Sequence, residues 1–446
     1  MRLNHLLSAQ VETLNRYYYT DTTMLNVDSN EDPFIKESLT LIKVPLLIVG
    51  GGMVGLTLAL MLAQKGIPVT ILEAIRYPEN SSDTPYYSSF DARNTALSRR
   101  TVQIFTDLGL WDVLQEFATP ILQIHISEQG SFGKARLDAY QEGLESFGQV
   151  IENAWLGRVL LSKVRTNELI TLIDGVNVTE LTQDAEYVTI TAVKMTTAGE
   201  NQVFNMKSPI LIAADGRDSF CRRAVGVDVS EHDYGQVALV TTVKTSKPHD
   251  QQAFERFSPQ GPLALLPLCG DTRRAVVWTV PKGTEQDWLG AENDSRFLDA
   301  LQETFGNRAG RFEKTGNRFA YPLSQVLAQR QAIGRVVLMG NAAHTLHPVA
   351  GQGFNLCIRD AQVLTHTLGI QATQGRDLGE HQVLVDYEKS RLTDQKRVIR
   401  FCDSIVRGFT HANPLLKLAR NTGLLAFDAI PVAKQLVANY AMGLKV

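Results

Sequence analysis

From Val44 the chain turns abruptly apolar. Residues 44–50 read Val-Pro-Leu-Leu-Ile-Val-Gly, a continuous hydrophobic run of the length expected for a strand buried on both faces. A glycine-rich turn over 50–55 follows, then a helical stretch that stops at Gly66, then Pro68-Val-Thr-Ile-Leu-Glu-Ala74, a second strand. This pattern predicts a βαβ unit. Upstream, Leu3, Leu6, Leu7, Val11, Leu14 and Tyr18 recur at helical spacing and run into a polar stretch from Asp28 to Asp32, so residues 1–43 read as an extension with a linker.

Beyond a polar loop from Arg76 to Phe90, the pattern predicts a helix around Thr101 to Phe117, with Val102, Phe105 and Leu108 on one face, and a strand from Leu122 to Ile126. A helix at Trp155 to Val164 precedes strands at Tyr187 to Val193 and Pro209 to Ala214. Three further strand patterns separated by turn residues lie between Gly235 and Val280 and predict an antiparallel sheet inserted into the first domain. The chain returns to that domain at Arg335 with a buried strand, Val336 to Met339, and is helical from about Val383, with Pro414 and Pro431 as breaks. The expected class is α/β: an N-terminal extension over 1–43, a Rossmann-like nucleotide domain over 44–226 and 330–375, an antiparallel-sheet substrate domain over 227–329, and a C-terminal helical region over 376–446.

A net charge of −3 supplies no global basic field, which argues against a nucleic-acid partner. The four cysteines, Cys221, Cys269, Cys357 and Cys402, form no C-x-x-C pair, so neither a metal knuckle nor a dithiol redox centre is expected; buried free thiols are. No leader pattern and no run of about eighteen apolar residues occurs, which points to a cytoplasmic protein. The C-terminal helices combine Lys389, Arg391, Lys396, Arg397, Arg400 and Arg407 with Leu415, Leu416, Leu424, Leu425 and Phe427. Two readings stay open for them: a solvated face packed on the domain, or contact with an anionic membrane surface or a biosynthetic complex.

The chemistry begins at Gly50-Gly51-Gly52-Met53-Val54-Gly55, a G-x-G-x-x-G that follows a strand and opens a helix. Gly50 permits the tight turn, Gly52 lets backbone approach a pyrophosphate, and Gly55 allows close helix packing. Glu73 ends the second strand, where a carboxylate can accept from ribose hydroxyls. Two later segments also follow strands: Ala214 to Ser219, containing Asp215, and Gly340 to Leu356, whose Gly351 and Gly353 bring backbone close to a flat ligand at a helix start.

With these three motifs in order, the chain resembles the FAD-dependent aromatic hydroxylases of the para-hydroxybenzoate hydroxylase fold over about residues 44–375. Within that group it resembles the ubiquinone-biosynthesis hydroxylases, through Asp91 to Ser98 (DARNTALS), Tyr234 to Val240 (YGQVALV), Phe254 to Leu268 (FERFSPQGPLALLPL) and His347 to Leu356 (HPVAGQGFNL). The resemblance implies FAD, reduced by NAD(P)H and reoxidised by O2, with one oxygen atom passed to an electron-rich phenol ring. It is strongest to members that convert 2-polyprenyl-6-methoxyphenol to a benzoquinol; sister enzymes acting at another ring carbon, and a non-catalytic FAD-binding scaffold of the biosynthetic complex, are the alternatives. The membrane habit of such a substrate adds a location peripheral to the inner membrane. The implied cofactor residues are Gly50, Gly52, Val54, Gly55, Glu73, Arg93 at the phosphates, Asn153, Asp215, Asn341 where the wider group carries aspartate, and Pro348, Gly351, Gly353 and Asn355 at the ring. Arg93 could instead be a surface arginine, and Asp215 a helix cap. No side chain is assigned as acid or base: His344 is read as a structural hydrogen-bonding residue, and His347 is left open. Leu263, Leu265, Leu266, Leu268, Val277 and Trp278 either pack the core or line an apolar substrate cavity.

Overall fold

The computed structural model describes residues 41–78, 93–195, 201–410 and 420–423. Strands Leu47–Val49 and Val69–Glu73 flank helix Met53–Gln64, as the βαβ pattern requires. Both strands are buried along their whole length, which is why their sequence does not alternate. They sit inside a six-stranded sheet in the order Ala332–Ile333, Val336–Leu338, Leu211–Ala213, Leu47–Val49, Val69–Glu73, Ile170–Asp174. All pairings in it are parallel except that of the short first strand. Helices Met53–Gln64, Asn153–Arg165 and Gln352–Thr373 cover one face, through Leu56, Leu160 and Leu364 against Leu46 and Ile48. The antiparallel strands Val176–Gln183, Val188–Met195 and Asn201–Ser208 cover the other, through Ile190 and Met206 against Leu47 and Val49.

The helix expected over Thr101 to Phe117 is broken into Arg99–Asp107 and Trp111–Leu114, the latter followed by a single 3-10 turn. Gly109, at φ 67°, makes the break by entering the left-handed region. The large sheet runs His344–Thr345, Phe319–Ala328, Val229–Thr245, Arg273–Pro281, Gly261–Pro267, Gln252–Ser258, Gln123–Glu128, Lys134–Asp138, with Phe312–Thr315 also paired to Val229–Thr245. It therefore reaches outside 227–329. The hairpin over 123–138 joins by parallel pairing of Gln123–Glu128 with Gln252–Ser258, and His344–Thr345 joins at the opposite edge. Both additions cover sheet edges that would otherwise present unpaired backbone groups, a long-range requirement that local periodicity does not carry.

Strand alternation divides the candidate cavity residues between the two faces of this sheet. Leu263, Leu265 and Trp278 pack on helix Asp294–Phe305 through Phe297 and Leu301, and are core. Leu266 and Val277 lie on the opposite face. The C-terminal helix His381–Thr410 lies on Gln352–Thr373 and on the large sheet. Of its basic residues, Arg391 is not available to any surface: it is buried, bonded to Asp360 and Asp394. The other expectations for the C-terminal region (Pro414, Leu415, Leu416, Leu424, Leu425, Phe427, Pro431) and for the amphipathic stretch before residue 41 fall outside the described residues. Among the described helices, none is long and apolar enough to cross a membrane. Cys221, Cys357 and Cys402 are buried free thiols, and Cys269 is an exposed one.

Candidate functional site

The sequence motifs meet at one edge of the six-stranded sheet because four neighbouring parallel strands end there: Leu47–Val49 at Gly50, Val69–Glu73 at its last residue, Leu211–Ala213 at Asp215, and Val336–Leu338 at Gly340. The carboxyl ends of parallel strands are where open α/β sheets hold their ligands. Gly50 has φ 109°, and a Cβ there would stand 2.3 Å from the Ala214 carbonyl oxygen, so the first turn and the Asp215 turn touch through the absence of a side chain. Gly55 is equally constrained: its Cβ would lie 2.0 Å from the Gly50 oxygen. A Cβ on Gly52 would meet nothing within 4 Å. Helix Met53–Gln64 thus presents an uncapped N-terminus to open space, as an approaching pyrophosphate requires. Val54 packs against Gly340, joining the first motif to the last.

Glu73 does not stand free for a ribose. Its Oε2 accepts the Gly51 N–H at 2.5 Å and its Oε1 accepts the Ile75 N–H at 2.9 Å. Burial raises its carboxyl above the ordinary value, against the lowering effect of those bonds. Each oxygen retains a second lone pair, so a ribose contact adds to the loop contacts without replacing them. Tyr77, in the polar loop that starts at Arg76, gives its hydroxyl to the Gly51 carbonyl at 2.5 Å and clamps the same turn. Nothing in the local pattern marks it.

Asp215 combines both readings proposed for it. Its Oδ2 accepts the Cys221 N–H at 3.0 Å at the start of helix Phe220–Ala224, while its Oδ1 is buried and has no hydrogen-bond partner among the described residues. A buried carboxylate oxygen in that condition is the atom a ligand hydroxyl would satisfy. Arg93 is not a plain surface arginine: its guanidinium lies 4.8 Å over the Tyr321 ring of the large sheet, and its carbonyl accepts the Asn153 N–H at 2.9 Å. The Asn153 side chain, at the head of helix Asn153–Arg165, accepts the Thr95 hydroxyl at 2.6 Å.

In the late motif Asn341 and Pro348 are exposed, and Gly351 is the left-handed N-cap of helix Gln352–Thr373, φ 59°, with no side-chain cap. A Cβ on Gly353 would again meet nothing within 4 Å. Asn355 behaves differently. Its Oδ1 accepts the Ser98 N–H at 2.8 Å and the Thr101 hydroxyl at 2.7 Å, and its Nδ2 donates to the Ala96 and Gly351 carbonyls, each at 2.8 Å. Two donors and two acceptor sites are the whole capacity of an amide. The Asn355 side chain therefore locks the DARNTALS strand to the late helix and offers nothing to a ligand.

His344 is structural, as expected: its Nε2 donates to Asp360 Oδ2 at 2.7 Å inside a buried cluster with Arg391 and Gln395. His347 is buried against Tyr234, ring centroids 5.1 Å apart, and accepts the Val349 N–H at 3.2 Å. Burial pushes its imidazole down to about 4, so it is neutral near pH 7, with Nδ1 accepting from Val349 and the ring proton on Nε2. The Asp360–Arg391 pair was not marked by any motif; its one signal is an acid inside an otherwise buried helical stretch.

Two uncapped helix starts facing open space, an unsatisfied carboxylate oxygen and two glycine close approaches fit an extended dinucleotide with a polar ring edge. The comparisons agree. The family described as FAD binding domain matches residues 43–402. Ubiquinone hydroxylase UbiL of Rhodospirillum rubrum is 32% identical over 398 residues, covering 89% of each chain. The 3-demethoxyubiquinol 3-hydroxylase of Escherichia coli is 29% identical over 399 residues, 89% of this chain and 98% of that one. The crystal structure of p-nitrophenol 4-monooxygenase PnpA from Pseudomonas putida resembles this fold with a TM-score of 0.73 at 18% identity, over 91% of this chain and 100% of that one. The chain is a flavin-dependent aromatic monooxygenase and belongs to the FAD-binding hydroxylase family of ubiquinone biosynthesis.

Proposed function

We propose that the protein converts 2-polyprenyl-6-methoxyphenol to the corresponding benzoquinol in ubiquinone biosynthesis, using NAD(P)H and O2. The observation that carries this reading is the apolar sheet face that bears Val277 and Leu266: it adjoins Tyr321 beneath Arg93, Tyr234 beside His347, and Ala96 of the DARNTALS strand. An apolar wall beside the cofactor motifs suits a prenylated ring. When bound, FAD supplies the redox chemistry: it takes electrons from the nicotinamide and delivers one oxygen atom of O2 to the ring. The residues proposed to hold it are the Gly50 to Gly55 turn and Arg93 at the phosphates, Glu73 at the ribose, Asp215 and Asn341 at the ribityl chain with Asn153 nearby, and the backbone of Gly351 and Gly353 at the ring. Asn355 positions the segment from behind. Pro348, exposed beside buried Val349, walls the ring side, and Phe257 stacked on Phe409 at 3.7 Å closes one end of the sheet face against water.

A second reading keeps the mechanism and changes the ring carbon, and the name of the Escherichia coli relative favours it. Quinone intermediates that accumulate in a deletion strain, identified by mass spectrometry, separate the two. The methoxyphenol supports the first, a demethoxyubiquinol the second, and unaltered quinone synthesis rejects both. A prenylated substrate partitions into lipid, so we also place the protein in the cytoplasm at the inner-membrane surface, within reach of other enzymes of the pathway. Exposed Lys396, Arg397 and Arg400 supply the basic contact. Co-sedimentation with anionic liposomes is expected and should weaken when these residues are neutralised; failure to co-sediment would refute that placement, and sedimentation that persists after neutralisation would refute the role of these residues.

A further inference from the structure

Two carboxylates stand on the face just described: Glu128, opposite Phe257 and bonded to Arg420 and Asn421, and Glu255. Across the strands, the row through the second reads Ile126, Glu255, Ala264, Val277, Val240, Phe319, with Glu255 its single polar member. Alternation sends Phe254 to the opposite core, while Ala253 and Phe257, two residues to either side of Glu255, share its face. Ala253 packs in the cluster with Leu266 and Ala96, and Phe257 stacks on Phe409 of the C-terminal helix. Glu255 therefore lies between the DARNTALS strand and the C-terminal helix, on the wall beside the cofactor motifs. It is partly buried, and among the described residues its carboxyl has neither a hydrogen bond nor an ion pair; burial is the one influence on that carboxyl.

An unpartnered carboxylate in an apolar row destabilises the fold, and a donor arriving with a ligand removes that cost. We propose that Glu255 anchors the phenolic hydroxyl of the substrate, its carboxylate accepting the hydroxyl's hydrogen bond and thereby setting which ring carbon faces the flavin. This rests on the phenol reading above. Burial that pushes the carboxyl up to about 7 makes it a better acceptor for a phenol than an ordinary glutamate is. A hydrogen bond to a charged acceptor in such a setting corresponds to about 10- to 100-fold in affinity.

The test is calorimetric titration of the FAD-loaded protein with a short-chain 2-prenyl-6-methoxyphenol and with the analogue carrying hydrogen in place of the hydroxyl. The wild type is expected to prefer the phenol by about 10- to 100-fold. Glu255→Leu, which keeps the row apolar, is expected to bind both ligands alike. Glu255→Gln keeps the shape but loses the charge, and is expected to lose about half of the preference in logarithmic terms. If Glu255→Leu and Glu255→Gln both keep the wild-type preference, the proposal is overturned while the phenol reading stands. If the wild type binds neither ligand, the phenol reading fails and the proposal with it.

Discussion

Replacing Arg391 by methionine tests whether the C-terminal helix holds the late flavin motif in place. Arg391 Nε donates to Asp360 Oδ1 at 2.6 Å and its Nη2 to Asp394 at 2.5 Å, and Asp360 Oδ2 accepts from His344 at 2.7 Å and from Gln395 at 3.0 Å. Asp360 is 2% and Arg391 7% exposed, so water replaces none of the bonds to Asp360. Removing one partner of a buried pair costs about 3–5 kcal/mol because a charge is left behind. Methionine preserves the apolar stem, Asp394 keeps its 3.0 Å bond to Arg359, and Asp360 keeps His344 and Gln395, which places the expected loss near the lower end, about 3 kcal/mol. Burial alone would raise the Asp360 carboxyl, but the bonds to His344 and Arg391 outweigh it and hold the carboxyl below its ordinary 3.8. Its stabilisation is therefore complete above that value and is lost as pH falls through the lower folded one; without Arg391 that loss begins at higher pH. Urea unfolding of the FAD-loaded protein, followed by tryptophan fluorescence and by release of flavin fluorescence, reads both the fold and the motif. Both midpoints should fall in Arg391→Met, and Asp360→Asn in the same chain should recover much of the loss. A single variant within about 0.5 kcal/mol of wild type, or a double variant no more stable than the single, would refute the reasoning.

Gly55→Ala forces a methyl into the Gly50 carbonyl and should weaken FAD binding by at least about tenfold, measured by flavin fluorescence quenching; unchanged affinity would remove the close-approach argument. Asn355→Ala breaks four hydrogen bonds between Ala96, Ser98, Thr101 and Gly351 and should cost about 3 kcal/mol in urea unfolding, with Asn355→Asp also impaired because it cannot donate to two carbonyls. Glu255 has a folded value raised from 4.5 to about 7, so the stability of its neutral form is complete below the lower value and disappears as pH rises through the higher. After discounting for partial exposure, Glu255→Leu should gain about 2 kcal/mol over wild type at pH 8 relative to pH 4, and a pH-independent difference would contradict this.

The sequence alone determined what depends on neighbours within a dozen residues. The uninterrupted apolar runs at Leu47–Val49 and Val336–Leu338 demanded strands covered on both faces, and the glycines at 50 and 55 demanded a turn that no side chain fits. The same strand-to-turn pattern recurs at Asp215 and Gly340, and the structure brings all of these turns to one sheet edge. Tertiary structure decided which atoms remain available there. Asn355 is engaged by Ser98, 257 positions away, and Arg391, one of several basic residues on an exposed-looking helix, faces inward to Asp360. Likewise Glu255 is an ordinary acid in the string FERF until five strands lay apolar residues beside it. A residue's hydropathy and period are carried by its own segment, whereas its hydrogen-bond partners and dielectric surroundings are set by segments hundreds of residues apart, which only the folded chain brings together.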